Sequence, residues 1–208
     1  MPLRVDHHPP PRADGKLPTV LTFLEMRTPP SRPAAPERPA PEAELRRIVD
    51  ADVALNRYLY DVVGRPWLWY ERKLKSDAEL RAYLADPAVE MRVLFVGGHV
   101  AAYAELDSRS WPDIELAYFG VLPDFIGKGY GPWMLDRLAD IAWSRKPSRY
   151  WVYTNLLDHP KALDRYLRSG FAITRREDAL YDDPRVRWPE QYPWTPPVAG
   201  GTRSWRMP

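Results

Sequence analysis

The chain has 208 residues, 45% of them hydrophobic, with 30 basic and 28 acidic side chains and a formal net charge of +2. That apolar content suffices for one domain with a real core. The balanced charge offers no nucleic-acid surface, and the absence of cysteine excludes disulfides, thiolate metal sites and a cysteine nucleophile. No run of about 18 apolar residues is present, so no membrane span is expected. Without a charged-then-apolar leader, the expected location is the cytoplasm.

Eleven of the 24 prolines fall in residues 1–41 and six in 178–208, which marks both ends as poor helix or sheet interiors. Within the first of these, residues 17–26, "LPTVLTFLEM", are β-branched and aromatic enough for a strand, expected at a sheet edge. A short strand follows over 45–49. A helix over 50–63 carries Val53, Tyr58, Leu59, Val62 and Val63 at helical spacing and stops at Gly64. A second helix is expected over 66–84, broken near Ser76, a fitting N-cap. Residues 89–96 and 100–106 flank Gly97-Gly98 as a β-hairpin, and 114–121 is a further strand. A helix over 129–145 puts Met134, Leu135, Leu138, Ile141 and Ala142 on one face. Residues 150–154 form a strand, 160–169 a short helix ended by Gly170, and 171–176 the last strand. The expected division is a proline-rich extension over 1–41, a compact α/β domain over 42–177 and an aromatic, proline-rich tail over 178–208.

The segment "FIGKGYGPWML" places Gly127, Gly129 and Gly131 at alternate positions directly before a helix. A phosphate-binding P-loop requires Gly-Lys followed by Ser or Thr, and a dinucleotide fingerprint requires G-x-G-x-x-G; neither is present. The physical content survives both failures, because a glycine-rich turn at a helix N-terminus exposes several N–H groups in a favourable dipole field. With Lys128 adding a positive charge, a diphosphate is a sensible guest.

This segment resembles the acyl-coenzyme A motif of the GNAT acetyltransferase superfamily, [Gln/Arg]-x-x-Gly-x-[Gly/Ala], aligned from Ile126 to Gly131. A later stretch, "DHPKALDRYLRSGF", is similar to the family's Asn-x-x-Ala-x-x-x-Tyr-x-x-x-Gly-Phe segment, with Ala162, Tyr166, Gly170 and Phe171 in register. Ile126 and His159 stand where the family has Gln or Arg and Asn. The resemblance covers about residues 44–177. It implies the GNAT acyltransferase fold, a mixed, mostly antiparallel central sheet flanked by helices.

The resemblance also implies roles. Acetyl-coenzyme A would be the acyl donor and a primary amine the acceptor, in a monomer or homodimer. The coenzyme would be met by Phe119, Gly120, Val121, Ile126, Gly127, Lys128, Gly129, Tyr130, Gly131, Pro132, His159 and Tyr166. The end of the 114–121 strand would splay and pair with the pantetheine arm, with the Val121 N–H donating to the oxyanion. Tyr166 would protonate the departing thiolate, a task that suits a phenol because it stays protonated at neutral pH. Glu115, a carboxylate in an apolar strand, must be solvated, paired or functional. As a catalytic base it would deprotonate the amine, and Glu105 is its rival. His159 is read as a helix-start residue, no role is assigned to His7, His8 or His99, and no metal site is expected. Trp67, Trp69, Tyr70, Tyr83, Trp188, Tyr192 and Trp194 either line an acceptor pocket for an apolar or cationic amine or fill the core, and filler is expected for most. A non-catalytic acyl-coenzyme A sensor is the alternative to an enzyme.

Overall fold

The computed structural model describes residues 8–193. Seven strands form one sheet: β1 (Lys16–Met26), β2 (Ala43–Ile48), β3 (Val89–Val96), β4 (His99–Asp107), β5 (Asp113–Val121), β6 (Arg149–Thr154) and β7 (Ala172–Asp182). Their spatial order is β2-β3-β4-β5-β6-β1-β7, and every pairing is antiparallel except β5 with β6. The helices are α1 (Val53–Gly64), α2 (Asp77–Leu84), α3 (Tyr130–Trp143), α4 (Ala162–Arg168) and a single turn, α5 (Pro184–Arg187).

The alternation of strand side chains builds two cores, one on each face. Leu94 of β3 with Ala102, Ala104 and Leu106 of β4 turns to one face, where Met134, Leu135 and Leu138 of α3 cover them. Met91 and Val93 of β3 with Tyr103 of β4 turn to the other and meet Leu59 and Val63 of α1. Because β4 is covered on both sides, its apolar run shows no alternation.

Local signals set the helix limits. The Asp52 carboxylate accepts from the Ala54 N–H and starts α1. Ser76 and Glu79 form a reciprocal capping box that starts α2. The expected helix over 66–84 is therefore realised only from Asp77 onward. Residues Arg65–Trp67 and Glu71–Leu74 are 3₁₀ turns separated by residues 68–70, of which Leu68 adopts a left-handed backbone at φ 62°. The physical reason is that these aromatics bury in different directions, whereas a continuous helix would line them up at fixed angles. Tyr70 packs on Trp188 while Trp69 packs on Tyr118.

The expectation of an edge strand near residues 17–27 is corrected. β1 lies inside the sheet, paired with β6 from Thr22 to Met26 and with β7 from Lys16 to Glu25. Leu17 and Thr19, and then, after a shift of phase, Thr22, Leu24 and Met26, are buried. The limits at 42 and 177 both fall across this pairing, since β1 precedes the first and β7 runs to Asp182. Residues between β1 and β2 are tied to α3. Arg32 donates to the Asp136 carbonyl at 2.6 Å, the Ala35 N–H to Asp140 at 2.7 Å, and the Trp133 indole to the Pro36 carbonyl at 2.9 Å.

Deleting residues 1–27 is expected to abolish cooperative thermal unfolding, because β6 and β7 lose the strand between them. A milder probe is Leu24→Ala, which should destabilise the chain by about 2–4 kcal/mol in urea titration, the usual cost of a buried cavity.

Candidate functional site

β5 and β6 pair in parallel for only three positions, Asp113 with Arg149, Ile114 with Tyr150 and Glu115 with Trp151. The cause of their divergence lies on the other side of β5. There the β4 register steps from Leu106–Leu116 to Glu105–Tyr118, leaving Ala117 as an extra, bulged residue. A bulge bends its strand and sharpens its twist. Beyond it a cavity of about 340 Å³ opens, lined by Leu116 to Val121 on one flank and Val152 and Tyr153 on the other.

The ladder with β4 fixes which way β5 presents its backbone. The Leu122 N–H donates to the Ala101 carbonyl at 2.8 Å, and Gly120 pairs with Tyr103 in the same register. Peptide groups alternate sides along a strand. Phe119 and Val121 therefore aim their N–H and C=O groups away from β4, into the gap. Gly120 must be glycine for packing, since a Cβ there would overlap Val63 of α1.

At the foot of the cavity lies the glycine turn. Gly127 and Gly129 have φ of 83° and 87°, a region that disfavours any side chain, and Gly129 is the N-cap of α3. No side chain caps this helix and no acid occupies its first turn. Its first N–H groups lack intrahelical acceptors by geometry, so they face the cavity with the positive end of the helix dipole. A Cβ on Gly131 would stand 3.2 Å from Val121, so glycine there keeps the turn close to β5.

Of the residues expected at the site, Phe119, Gly120, Val121, Ile126, Gly127, Gly129, Gly131, Pro132, His159 and Tyr166 line this one cavity. Lys128 and Tyr130 do not. The Lys128 ammonium lies 5.1 Å from the Phe125 ring centre, and Tyr130 packs on the same ring. Glu115 is also off the cavity wall, in the last β5–β6 pair before the strands diverge. Burial and the neighbouring Asp107 raise its carboxyl to about 7, against the opposing pull of Arg109 and Arg149.

Tyr166 projects from α4 and rests edge-on against Phe171. Burial, then the charge of Asp158, holds its phenol well above the ordinary range, so it carries its proton at neutral pH. His159 starts the turn into α4, where its Nδ1 accepts from the Lys161 N–H at 3.1 Å. Burial and Lys161 lower its pKa, which keeps the ring neutral. Glu105 is committed elsewhere. It pairs with Arg72 and accepts from the Asn56 amide at 2.7 Å, with all three side chains buried. Arg72 in turn lies between the rings of Tyr83 and Tyr118, at 4.5 and 4.4 Å.

Sequence reasoning missed Asp158, Tyr153, Lys161 and Arg165, which also line the cavity. For Lys161 and Arg165 a signal existed, because a spacing of four places them on the same helical side as Ala162 and Tyr166. For Asp158 there was none. It sits in the loop before α4 and accepts from the Trp69 indole, the Thr154 hydroxyl and the Asn155 N–H. Of the seven aromatics, Trp67 and Trp69 line the cavity, whereas Tyr70, Tyr83, Trp188 and Tyr192 pack elsewhere. Trp194 lies outside the described residues. Among the described residues no group of His, Asp and Glu is placed to hold a metal ion, and no helix is long and apolar enough to cross a membrane.

Comparison with known proteins adds a family. The sequence pattern of the family described as Acetyltransferase (GNAT) family matches residues 56–171. Among solved structures, a GCN5-related N-acetyltransferase from Sphaerobacter thermophilus superposes with a TM-score of 0.58 at 19% identity, over 80% of this chain and 52% of that one. A conserved protein of unknown function from Staphylococcus epidermidis gives 0.57 at 15% identity, over 82% and 64%. A putative GNAT acetyltransferase from Novosphingobium aromaticivorans gives 0.53 at 17% identity, over 85% and 71%. At these identities the likeness is one of fold. The chain spans 64% and 52% of the first two of these structures to be matched. No curated protein matches the sequence.

Replacing Arg72 by Met strands the Glu105 charge in the core, and about 3–5 kcal/mol of stability should be lost in urea titration. Adding Glu105→Leu should recover most of that loss. A double variant no more stable than the single would show that the ion pair is not what holds this region.

Proposed function

Because the chain belongs to the acetyltransferase (GNAT) family, whose pattern covers more than half of it, we propose that it transfers an acetyl group from acetyl-coenzyme A to a primary amine. One observation carries this reading. A single cavity joins the uncapped N-terminus of α3, the outward-facing backbone of Phe119 and Val121, and the protonated phenol of Tyr166. Such a cavity suits a ligand with a diphosphate at one end and a thioester at the other.

Each part has a task. The N–H groups following Gly127 and Gly129, with Lys161 and Arg165 on the facing wall, hold a diphosphate. The free edge of β5 accepts an extended amide-bearing arm as an added strand would be accepted. The Val121 N–H stands where it can donate to a carbonyl oxygen that gains charge as the amine attacks. Tyr166 gives its proton to the departing sulfur, and its raised pKa keeps that proton on the phenol at neutral pH until the thiolate forms.

The amine must lose a proton, since its solution pKa is roughly 10. Glu115, with a carboxyl near 7, is suited to receive it through intervening water. The cytoplasm is the proposed compartment. The sensor alternative draws support only from the position of Glu115 off the cavity wall.

Gly131→Val should weaken acetyl-coenzyme A binding at least tenfold by calorimetry, because the added side chain presses the turn off β5. Tyr166→Phe keeps the ring packing and should lower kcat and kcat/KM together by roughly 10²–10⁴ while cofactor affinity holds. Full activity in that variant would remove Tyr166 from the mechanism. In the wild type, thiol release should rise as pH passes about 7, where Glu115 becomes an anion. Glu115→Gln should lack that limb, and its deficit should shrink at higher pH as more of the amine is already neutral.

A further inference from the structure

The cavity is charged unevenly along its length. At the α3–α4 end the lining includes Lys161 and Arg165. At the β5–β6 end it consists of Trp69, Tyr118, Tyr153 and Asp158, with no lysine or arginine of the lining among them. Arg72 stacks on Tyr118 but is committed to Glu105 and Asn56.

Asp158 is oriented without being neutralised. Its three donors, the Trp69 indole at 2.9 Å, the Thr154 hydroxyl at 2.8 Å and the Asn155 N–H at 3.1 Å, are all uncharged. A carboxylate offers about four acceptor positions, so one is left. Behind the aromatic wall stands a second carboxylate, Glu71, which accepts from the Tyr60 hydroxyl at 2.8 Å and has no ion-pair partner among the described residues. The Tyr60 ring lies 5.6 Å from Trp69 and 5.5 Å from Tyr118, so the Glu71 charge backs the rings that line the cavity. Electron-rich rings beside uncompensated carboxylates attract cations. Among the described residues no cation is paired with Asp158 to offset the charge of an incoming carboxylate.

We infer, on the reading of the cavity as a coenzyme A and acceptor site, that its β5–β6 end selects acceptors by positive charge. The class of acceptor is an amine with an apolar stem and no free carboxylate. Its ammonium is held by Asp158 and the rings of Trp69, Tyr118 and Tyr153, and Glu71 adds a second negative charge at longer range. Burial raises the Asp158 carboxyl above its ordinary range, a desolvation cost that a bound ammonium relieves. The two ends of the cavity thus sort their ligands by sign, an anionic cofactor at one and a cationic acceptor at the other.

Three five-carbon probes separate charge from shape: cadaverine, pentylamine and aminovalerate. Each is titrated calorimetrically at low salt into the full chain, with and without saturating coenzyme A. Affinity should fall in that order, about tenfold per step, and the steps should shrink as salt rises. Asp158→Asn should compress the ladder to within about threefold while coenzyme A affinity and melting temperature hold. Glu71→Gln should weaken cadaverine most. If Asp158→Asn unfolds, Glu71→Gln carries the test, because it removes a partly exposed charge bonded only to Tyr60. Equal or inverted affinities in the wild type, no measurable amine binding, or an intact ladder in the folded variants would overturn the inference. Loss of coenzyme A binding with the ladder intact would instead remove the acetyl-transfer reading and leave the cation site standing.

Discussion

The cavity depends on two neighbouring strands parting company. β5 and β6 are held together for three residues and then diverge, because the extra residue at Ala117 bends β5 where it pairs with β4. Had the pairing continued, the peptide groups of Phe119 and Val121 would be spent on β6, and no cavity would separate the strands. Instead the sheet keeps a half-open seam with an unpaired backbone edge inside the protein. Such an edge is costly unless something satisfies it, and this is the physical ground for expecting an extended, amide-bearing ligand there. α3 completes the arrangement by pointing its uncapped N-terminus at the same seam.

An open seam weakens a sheet, and the rest of the fold compensates. β1 enters between β6 and β7 and pairs along ten positions of β7, so β6 is flanked on its far side by a long strand. The segment that follows β1 lies along α3 and is bonded to Asp136, Asp140 and Trp133. α3 also packs on Leu94, Ala102, Ala104 and Leu106, so both halves of the divided sheet are anchored to one helix.

The opposite wall is held by the buried group of Arg72, Glu105 and Asn56. It ties the 3₁₀ turn of Glu71–Leu74 to β4 and to α1. That turn follows Trp69, whose carbonyl accepts from the Tyr192 hydroxyl at 2.6 Å and whose indole reaches Asp158. A buried ion pair is seldom a large net source of stability, because desolvation offsets much of its Coulomb energy. Its effect here is positional. It fixes where Trp69 and Glu71 stand, and so gives the β5–β6 end of the cavity its aromatic and anionic character.

Much of this was legible in the amino-acid order. Local physics sufficed for the hairpin at Gly97-Gly98, the glycine turn before α3, the amphipathic stripe of α3 and the start of α2 at Ser76, because each depends on residues within one or two turns of one another. The α3 end of the cavity was legible for the same reason, since Gly127, Gly129 and Gly131 shape it through their own backbone. The tertiary structure alone decided what depends on distant partners. β1 was recognisable as a strand, but its place between β6 and β7 is fixed by partners more than a hundred residues away. Glu105 and Glu115 looked alike as carboxylates in apolar strands. Only the fold brings Arg72 to the first and leaves the second beside Asp107. Asp158 carries no periodic or motif signal at all, and it becomes part of the cavity because Trp69, 89 positions earlier, folds over to meet it.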